Sequence, residues 1–255
     1  MKRLFAHSYA SDFQEASNRA PVQHDRPHLT AHRLGNLEPS EQKRLSNRPV
    51  TTNRVVFLIR HGKIQQEDDQ RRYIGQINLP LTEEGTRQAQ GLQKRFERTN
   101  IKTIYCSDLS SSIETAQIVA NPRNVPVVVC QKLREISMGE WEGCTFGDIA
   151  RRFPEKFKAR GNDIVSYRVP GGESFADCSN RIVAALEEII ASSTGNLVIA
   201  GHAGINRLLL CHMLGMPIAN LFSIGQDYAC LNVIQCSSAG YQVKLMNGSG
   251  RSGRR

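Results

Sequence analysis

The sequence predicts an α/β fold, a three-layer sandwich with a mostly parallel sheet in the middle, and two observations carry that prediction. From Arg54 onward, short β-branched runs alternate with longer helical patterns, the order in which strand and helix units stack around one sheet. With 255 residues, 40% of them hydrophobic, the chain can bury one sizeable core and is too short for a second full domain.

The strands are expected at Val55 to Ile59 (VVFLI), Thr103 to Ser107 (TIYCS), Val125 to Cys130 (VPVVVC), Asn196 to Gly201 (NLVIAG) and Leu231 to Cys236 (LNVIQC). Tyr241 to Met246 (YQVKLM) should return beside the last of these as a hairpin. The first helix should start at Thr82 as N-cap, with Glu83 and Glu84 in its first turn, and run to about Arg98. Further helices are expected at Ser111 to Ala120, Glu173 to Ala191 and Ile205 to Leu214. Ile136 to Pro170 has a Trp, Phe residues and mixed charge but no strand pattern, and reads as a short lid over one end of the sheet.

Composition shifts at both ends. Residues 1–52 are rich in His, Arg, Asn, Gln, Pro and Ser and hold no apolar periodicity, so a disordered basic N-terminal tail is expected, then a domain over 53–247 and a flexible tail over 248–255. The formal charge of +9 divides into +3 for each tail and +3 for the rest, which carries 22 basic and 19 acidic residues. The domain is therefore nearly balanced, and solvated tails are favoured over nucleic-acid binding, since only Phe5, Tyr9 and Phe13 are interleaved with the basic residues. Seven cysteines, odd in number and never spaced as CxxC, read as reduced thiols, and a zinc site is not expected. No run approaches the roughly 18 apolar residues of a membrane helix, and no secretory core is recognisable, so the expected compartment is the cytoplasm.

The chemistry concentrates at strand ends. The first strand runs into Arg60-His61-Gly62, and the fourth ends at Gly201 with His202 following before a helix. Ligands of open α/β sheets bind at that carboxyl edge. One strand-terminal His alone reads as a structural residue; two, with Arg60 adjacent, point to a site. A phosphate needs several fixed donors, and Arg60, His61, His202 and backbone N–H groups near Gly62 and Gly204 can supply them. An imidazole held among such donors can attack phosphorus. The departing alcohol then needs a proton, for which Glu135, just after the third strand, is suited; its competing reading is a surface ion pair with Arg134.

Six ordered blocks, FLIRHGK, YIGQINLPLTEEGTRQAQ, YCSDLSSSIETA, LREISMGEWEG, PGGESF and GHAGINR, resemble the histidine phosphatase superfamily, of phosphoglycerate mutase type, across nearly all of residues 54–240. The resemblance implies a phosphoglycerate mutase-like fold, with His61 as the phosphorylated nucleophile, Arg60 and His202 on the phosphoryl oxygens and Glu135 as proton donor. It places Gly62, Gly75, Gln76, Ser111 and Ala203 along the substrate pocket. It implies no metal and no cofactor. GEWEG, PGGESF and QDYACLNVI are most similar to the alpha-ribazole phosphatase branch, which serves cobalamin assembly. The function implied is hydrolysis of a small phosphomonoester, with no membrane and with a homodimer compatible.

Two departures stand out. The block after the second strand usually carries an Arg as a second phosphate ligand, and the matching residue here is Ser111. A hydroxyl donates one hydrogen bond and no charge, so the pocket forgoes contacts worth roughly 1.5–3 kcal/mol each. Lys63-Ile64 follows RHG where Glu and Thr are common; Lys63, Arg72, Arg134 or Arg168 is a candidate replacement cation. Two alternatives stay open: a weakened member that binds a phosphorylated ligand or partner without turnover, and phosphoglycerate mutase activity.

Overall fold

The computed structural model describes residues 53–249 apart from Glu67, Asp69 and Pro122, so the expected N-terminal tail and nearly all of the C-terminal one lie outside the described residues. Six strands form one sheet in the order β3-β2-β4-β1-β5-β6: β1 (Arg54–Arg60), β2 (Ile101–Cys106), β3 (Val127–Val129), β4 (Asn196–Gly201), β5 (Leu231–Ser237) and β6 (Gly240–Gly248). The first four are parallel, and β5 and β6 add an antiparallel ribbon at one edge. Helices α1 (Glu83–Phe96), α2 (Ser110–Ala120), α3 (Phe146–Arg152), α4 (Pro154–Asn162), α5 (Phe175–Ser192) and α6 (Ala203–Leu214) complete the order.

Successive side chains of a strand point to opposite faces, and along β1 this divides the core in two. Val56 and Leu58 join one cluster with Ile182 and Leu186 of α5 and Leu208 and Leu209 of α6. Phe57 and Ile59 join the other with Leu92 and Phe96 of α1 and Ala116 and Val119 of α2. A helix layer thus covers each face, which makes the sandwich. Full burial of each such aliphatic or aromatic side chain contributes about 1.5–3 kcal/mol.

The helix ends follow local rules. Thr82 caps α1 by accepting from Gly85 N, with Glu83 and Glu84 in the first turn and Lys94 and Arg95 in the last, all favourable to the helix dipole. Ser174 and Asp177 form a reciprocal capping box at the start of α5. Gly215, at φ +62°, closes α6 in the left-handed conformation that glycine adopts without strain.

Differences from expectation are local. β3 is three residues long, not six, because Pro126 has no N–H for the ladder; its carbonyl still accepts from Ile104 N at 2.9 Å. β6 extends through Gly248, which pairs with Leu231, so the sheet continues one residue into the stretch expected to be tail. Ile136–Pro170, expected as a lid, contains α3 and α4 and is rooted in the core: Trp141, Ile149 and Val169 are buried in the α5–α6 cluster, and Trp141 packs on Tyr73 with ring centroids 5.1 Å apart. All seven cysteines are free thiols.

Two glycines let the turn after β1 meet α1. A Cβ on Gly62 would overlap the carbonyl of Gly85, and one on Gly85 would overlap the carbonyl of Lys63. Both obstacles are backbone and cannot swing aside. Gly62→Ala and Gly85→Ala are each expected to destabilise the fold by about 1–3 kcal/mol, the usual cost of overpacking, as read from the urea midpoint; unchanged midpoints for both would contradict this close approach.

Candidate active site

Parallel register places the two histidines. Arg60 of β1 lies opposite Gly201 of the adjacent β4, so His61 and His202 leave the sheet side by side. Both are buried, their ring centroids 5.0 Å apart and their planes at 60°. The backbone of His61 is fixed on both sides: its N–H donates to Gly201 O at 3.0 Å and its carbonyl accepts from Ala229 N at 3.1 Å.

The His61 ring has a defined tautomer. Nδ1 is 2.7 Å from the carbonyl of Gly62, and a carbonyl only accepts, so Nδ1 carries the proton and Nε2 keeps its lone pair. Burial, first, and then His202 and Arg60 hold the His61 pKa well below the usual imidazole value, against the opposing bond to Gly62. His202 Nε2 lies 2.8 Å from the hydroxyl of Ser107, the residue that follows β2. Burial and the charges of Arg60 and Arg181 push the His202 pKa down to about 3. Both rings are neutral near pH 7.

Glu135 follows β3 through a short 3-10 turn, Gln131–Leu133, and reaches the N-terminus of α6. Its Oε2 accepts from Gly204 N at 2.7 Å, and its Oε1 accepts from Ile205 N at 3.2 Å and Ile136 N at 2.9 Å. The first N–H groups of a helix lack partners in their own helix, and the N-cap, His202, makes no side-chain capping bond. The buried carboxyl supplies that cap from another segment. Gly204 makes room, since a Cβ there would overlap Glu135 Oε1. Burial raises the Glu135 pKa and outweighs the amides and the charges of Arg60 and Arg207, which lower it. The carboxyl is thus biased toward holding a proton.

Arg60 NH1 donates to Gln226 O at 2.7 Å, and its guanidinium stacks 3.8 Å from the ring centroid of Tyr228. Its Nε is buried without an acceptor among the described residues. Gly62 N donates to the Thr115 hydroxyl at 3.2 Å, and that hydroxyl donates to Ser111 O at 2.7 Å. Ser111, buried in the first turn of α2, is thereby linked through Thr115 to the residue after His61. Ala203 opens α6 directly after His202.

Gly75 and Gln76 are anchored on a carboxylate. Their backbone N–H groups donate to the carboxylate of Glu142 at 3.0 and 2.9 Å, and Met138 N joins them at 2.9 Å, so these amides are committed to a protein anion. Gln76 meets the cluster through its side chain, Nε2 donating to Glu135 O at 2.9 Å. The candidate replacement cations are also engaged: Lys63 with Glu84, Arg72 with Asp68, Arg134 with Asp108 and Arg168 with Asp177. Arg134 therefore pairs with Asp108 and not with Glu135. A separate cavity of about 340 Å³, lined by Gln65, Arg72, Ile74, Ile77, Leu79 and Pro80 among others, includes neither histidine in its wall.

Ser107, Thr115, Glu142, Arg181 and Tyr228 belong to the surroundings of the site and were not predicted. Ser107 had a usable signal, since it ends an expected strand beside the one that delivers His202. The others announce themselves only through partners distant in sequence. Among the described residues, no group of three or more His, Cys, Asp or Glu side chains could hold a metal ion, and no helix is long and apolar enough to cross a membrane.

The profile of the histidine phosphatase superfamily (branch 1) matches residues 56–249. The chain belongs to that superfamily and is a phosphatase of its type. It is 29% identical over 195 residues to the adenosylcobalamin/alpha-ribazole phosphatase of Escherichia coli strain K12, covering 75% of this chain and 95% of that protein. It is 29% identical over 180 residues to phosphoserine phosphatase 1 of Hydrogenobacter thermophilus, covering 70% of this chain and 85% of the relative. The crystal structure of the alpha-ribazole phosphatase from Shigella flexneri superposes with a TM-score of 0.70 at 29% identity, covering 79% of this chain and 99% of that one.

The buried neutral histidines have a consequence for stability. In the unfolded chain each takes a proton below about pH 6.5, and in the fold each resists it, so the unfolded state binds more protons and stability falls as pH drops through that value. Glu135, whose pKa burial raises, contributes with the opposite sign as pH falls through that raised value. Stability is expected to fall between pH 6.5 and 5, with each buried histidine contributing up to about 1.4 kcal/mol per pH unit, and His202→Gln should flatten the slope. Urea midpoints independent of pH across that window would contradict neutral burial.

Proposed function

We propose that this phosphatase hydrolyses the phosphomonoester of a small metabolite through a phosphohistidine on His61. One observation carries the reading: the Nδ1–H of His61 is tied to Gly62 O, which leaves Nε2, beside Arg60 and His202, as the nucleophile. Nε2 attacks phosphorus and the bond from phosphorus to the leaving oxygen breaks. Glu135 gives its proton to that oxygen. Water then attacks the phosphohistidine, Glu135 takes the proton from the water, and phosphate departs with His61 restored.

The roles of the remaining groups follow from their donors. Arg60, whose buried Nε–H has no acceptor among the described residues, meets a phosphoryl oxygen, and His202, held by Ser107, sits against the same group. Gly62 and Ala203 border the pocket at the two strand ends. Ser111 contributes at most one hydroxyl where a guanidinium would supply a fork.

The named relatives act on alpha-ribazole phosphate or phosphoserine, so small phosphorylated metabolites are the substrate class we infer, with alpha-ribazole phosphate of cobalamin assembly the first to test. Hydrolysis of a panel holding these two esters and 3-phosphoglycerate separates a hydrolase from a mutase. Inorganic phosphate release from an alkyl ester, abolished in a folded His61→Asn variant, is the expected result. Near wild-type release by His61→Asn would remove His61 from the chemistry.

A transferring phosphoryl group spreads negative charge over its equatorial oxygens, and the four candidate cations are already paired. Ser111→Arg is therefore expected to raise kcat/KM on a simple phosphomonoester about tenfold, equivalent to about 1.4 kcal/mol. An unchanged or lower value in a folded variant would show that a second cation does not limit this site.

A further inference from the structure

Arg181 sits in α5 and directs its guanidinium at one short segment and at Glu173. NH1 donates to Lys132 O at 2.7 Å and Arg134 O at 3.0 Å, and NH2 lies 3.4 Å from Glu135 O. Nε and NH2 also bind the two carboxylate oxygens of Glu173, each at 2.7 Å. Glu173 in turn accepts from Ser137 N at 3.0 Å. The pair holds the backbone on both sides of Glu135, and about three quarters of each side chain is covered, with 23% and 22% exposed.

Glu135 is thus gripped twice. Its carboxyl rests on the N-terminus of α6, and its backbone is fixed by α5. To pass a proton, the carboxyl must give up part of its amide contact and face the leaving oxygen, so its aim then depends on the backbone anchor. A displacement of about 1 Å in such a group can cost about 10²-fold in rate. We propose that Arg181, through its pair with Glu173, is a positioning residue for Glu135. The proposal rests on the reading of Glu135 as proton donor. A Lys cannot stand in, because three carbonyls and a carboxylate are met by one planar fork.

The test is leaving-group dependence in the full-length protein, with kcat/KM, which reports phosphorylation and not the later attack of water, measured on p-nitrophenyl phosphate, whose phenolate departs without a proton, and on glycerol phosphate, whose alkoxide needs one. Glu135→Gln should lose about 10²-fold or more on glycerol phosphate and only a few-fold on the aryl ester. Arg181→Met should show the same preference, with about tenfold or more extra loss on glycerol phosphate and little change in KM, and Arg181→Lys should fall between. The double variant should lose no more than Glu135→Gln alone, the mark of two residues acting in one step. Equal losses on both esters for Arg181→Met, or additive loss in the double variant, would overturn the positioning role while leaving Glu135 as donor. If Glu135→Gln itself treats both esters alike, the donor reading falls and the proposal with it. Should circular dichroism show Arg181→Met unfolded, Glu173→Gln releases the same clamp from its other side and is held to the same outcomes.

Discussion

The parallel pairing of β1 with β4 is the interaction on which the site depends. Because Arg60 stands opposite Gly201, the next residue of each strand is a histidine, and the two rings leave the sheet 5.0 Å apart. A one-residue slip would turn Val56 and Leu58 toward the face that now holds Phe57 and Ile59. The apolar pattern that packs two different helix layers therefore also fixes the chemistry. Ser107 and Glu135 arrive by the same logic, after β2 and β3, so four strand ends converge on one edge of the sheet.

Burial then sets the charge states. An exposed imidazole would be partly protonated near neutral pH, and an exposed carboxyl fully ionised. In this fold desolvation acts against both charged forms, so the histidines stay neutral and Glu135 moves toward its acid. On the proposed mechanism, these two directions suit an imidazole that attacks as its free base and a carboxyl that gives up a proton. Arg60, half-buried beside them, stacks on Tyr228 and bonds to Gln226 O.

Much of this was legible in the sequence, for identifiable reasons. His61 and His202 each follow an apolar β-branched run, and Glu135 follows a third, so residue type and strand end together marked them. Thr82 was readable because capping depends on a few adjacent residues. The anchoring of Gly75 and Gln76 was not legible, because the carboxylate that takes their amides, Glu142, is 67 and 66 residues further on. Arg181 was invisible for a related reason: besides Glu173, its partners are backbone carbonyls, which any sequence provides. β3 was overextended because the β-branched residues around Pro126 outweighed its missing donor. Ile136–Pro170 yielded its lack of strands but not its helices, since α3 and α4 are short and stand on tertiary contacts such as the stacking of Phe146 in α3 on Tyr73.

The central claim is that His61 Nε2 takes the phosphoryl group because Nδ1 is occupied by Gly62 O. Rapid acid-free quenching of turnover, followed by ³¹P NMR of the denatured protein under alkaline conditions and mass-spectrometric mapping, reports both the residue and the ring nitrogen. The account predicts an acid-labile, alkali-stable phosphate on Nε2 of His61. Phosphate on Nδ1, on His202, or on no protein residue while single-turnover hydrolysis proceeds would contradict it.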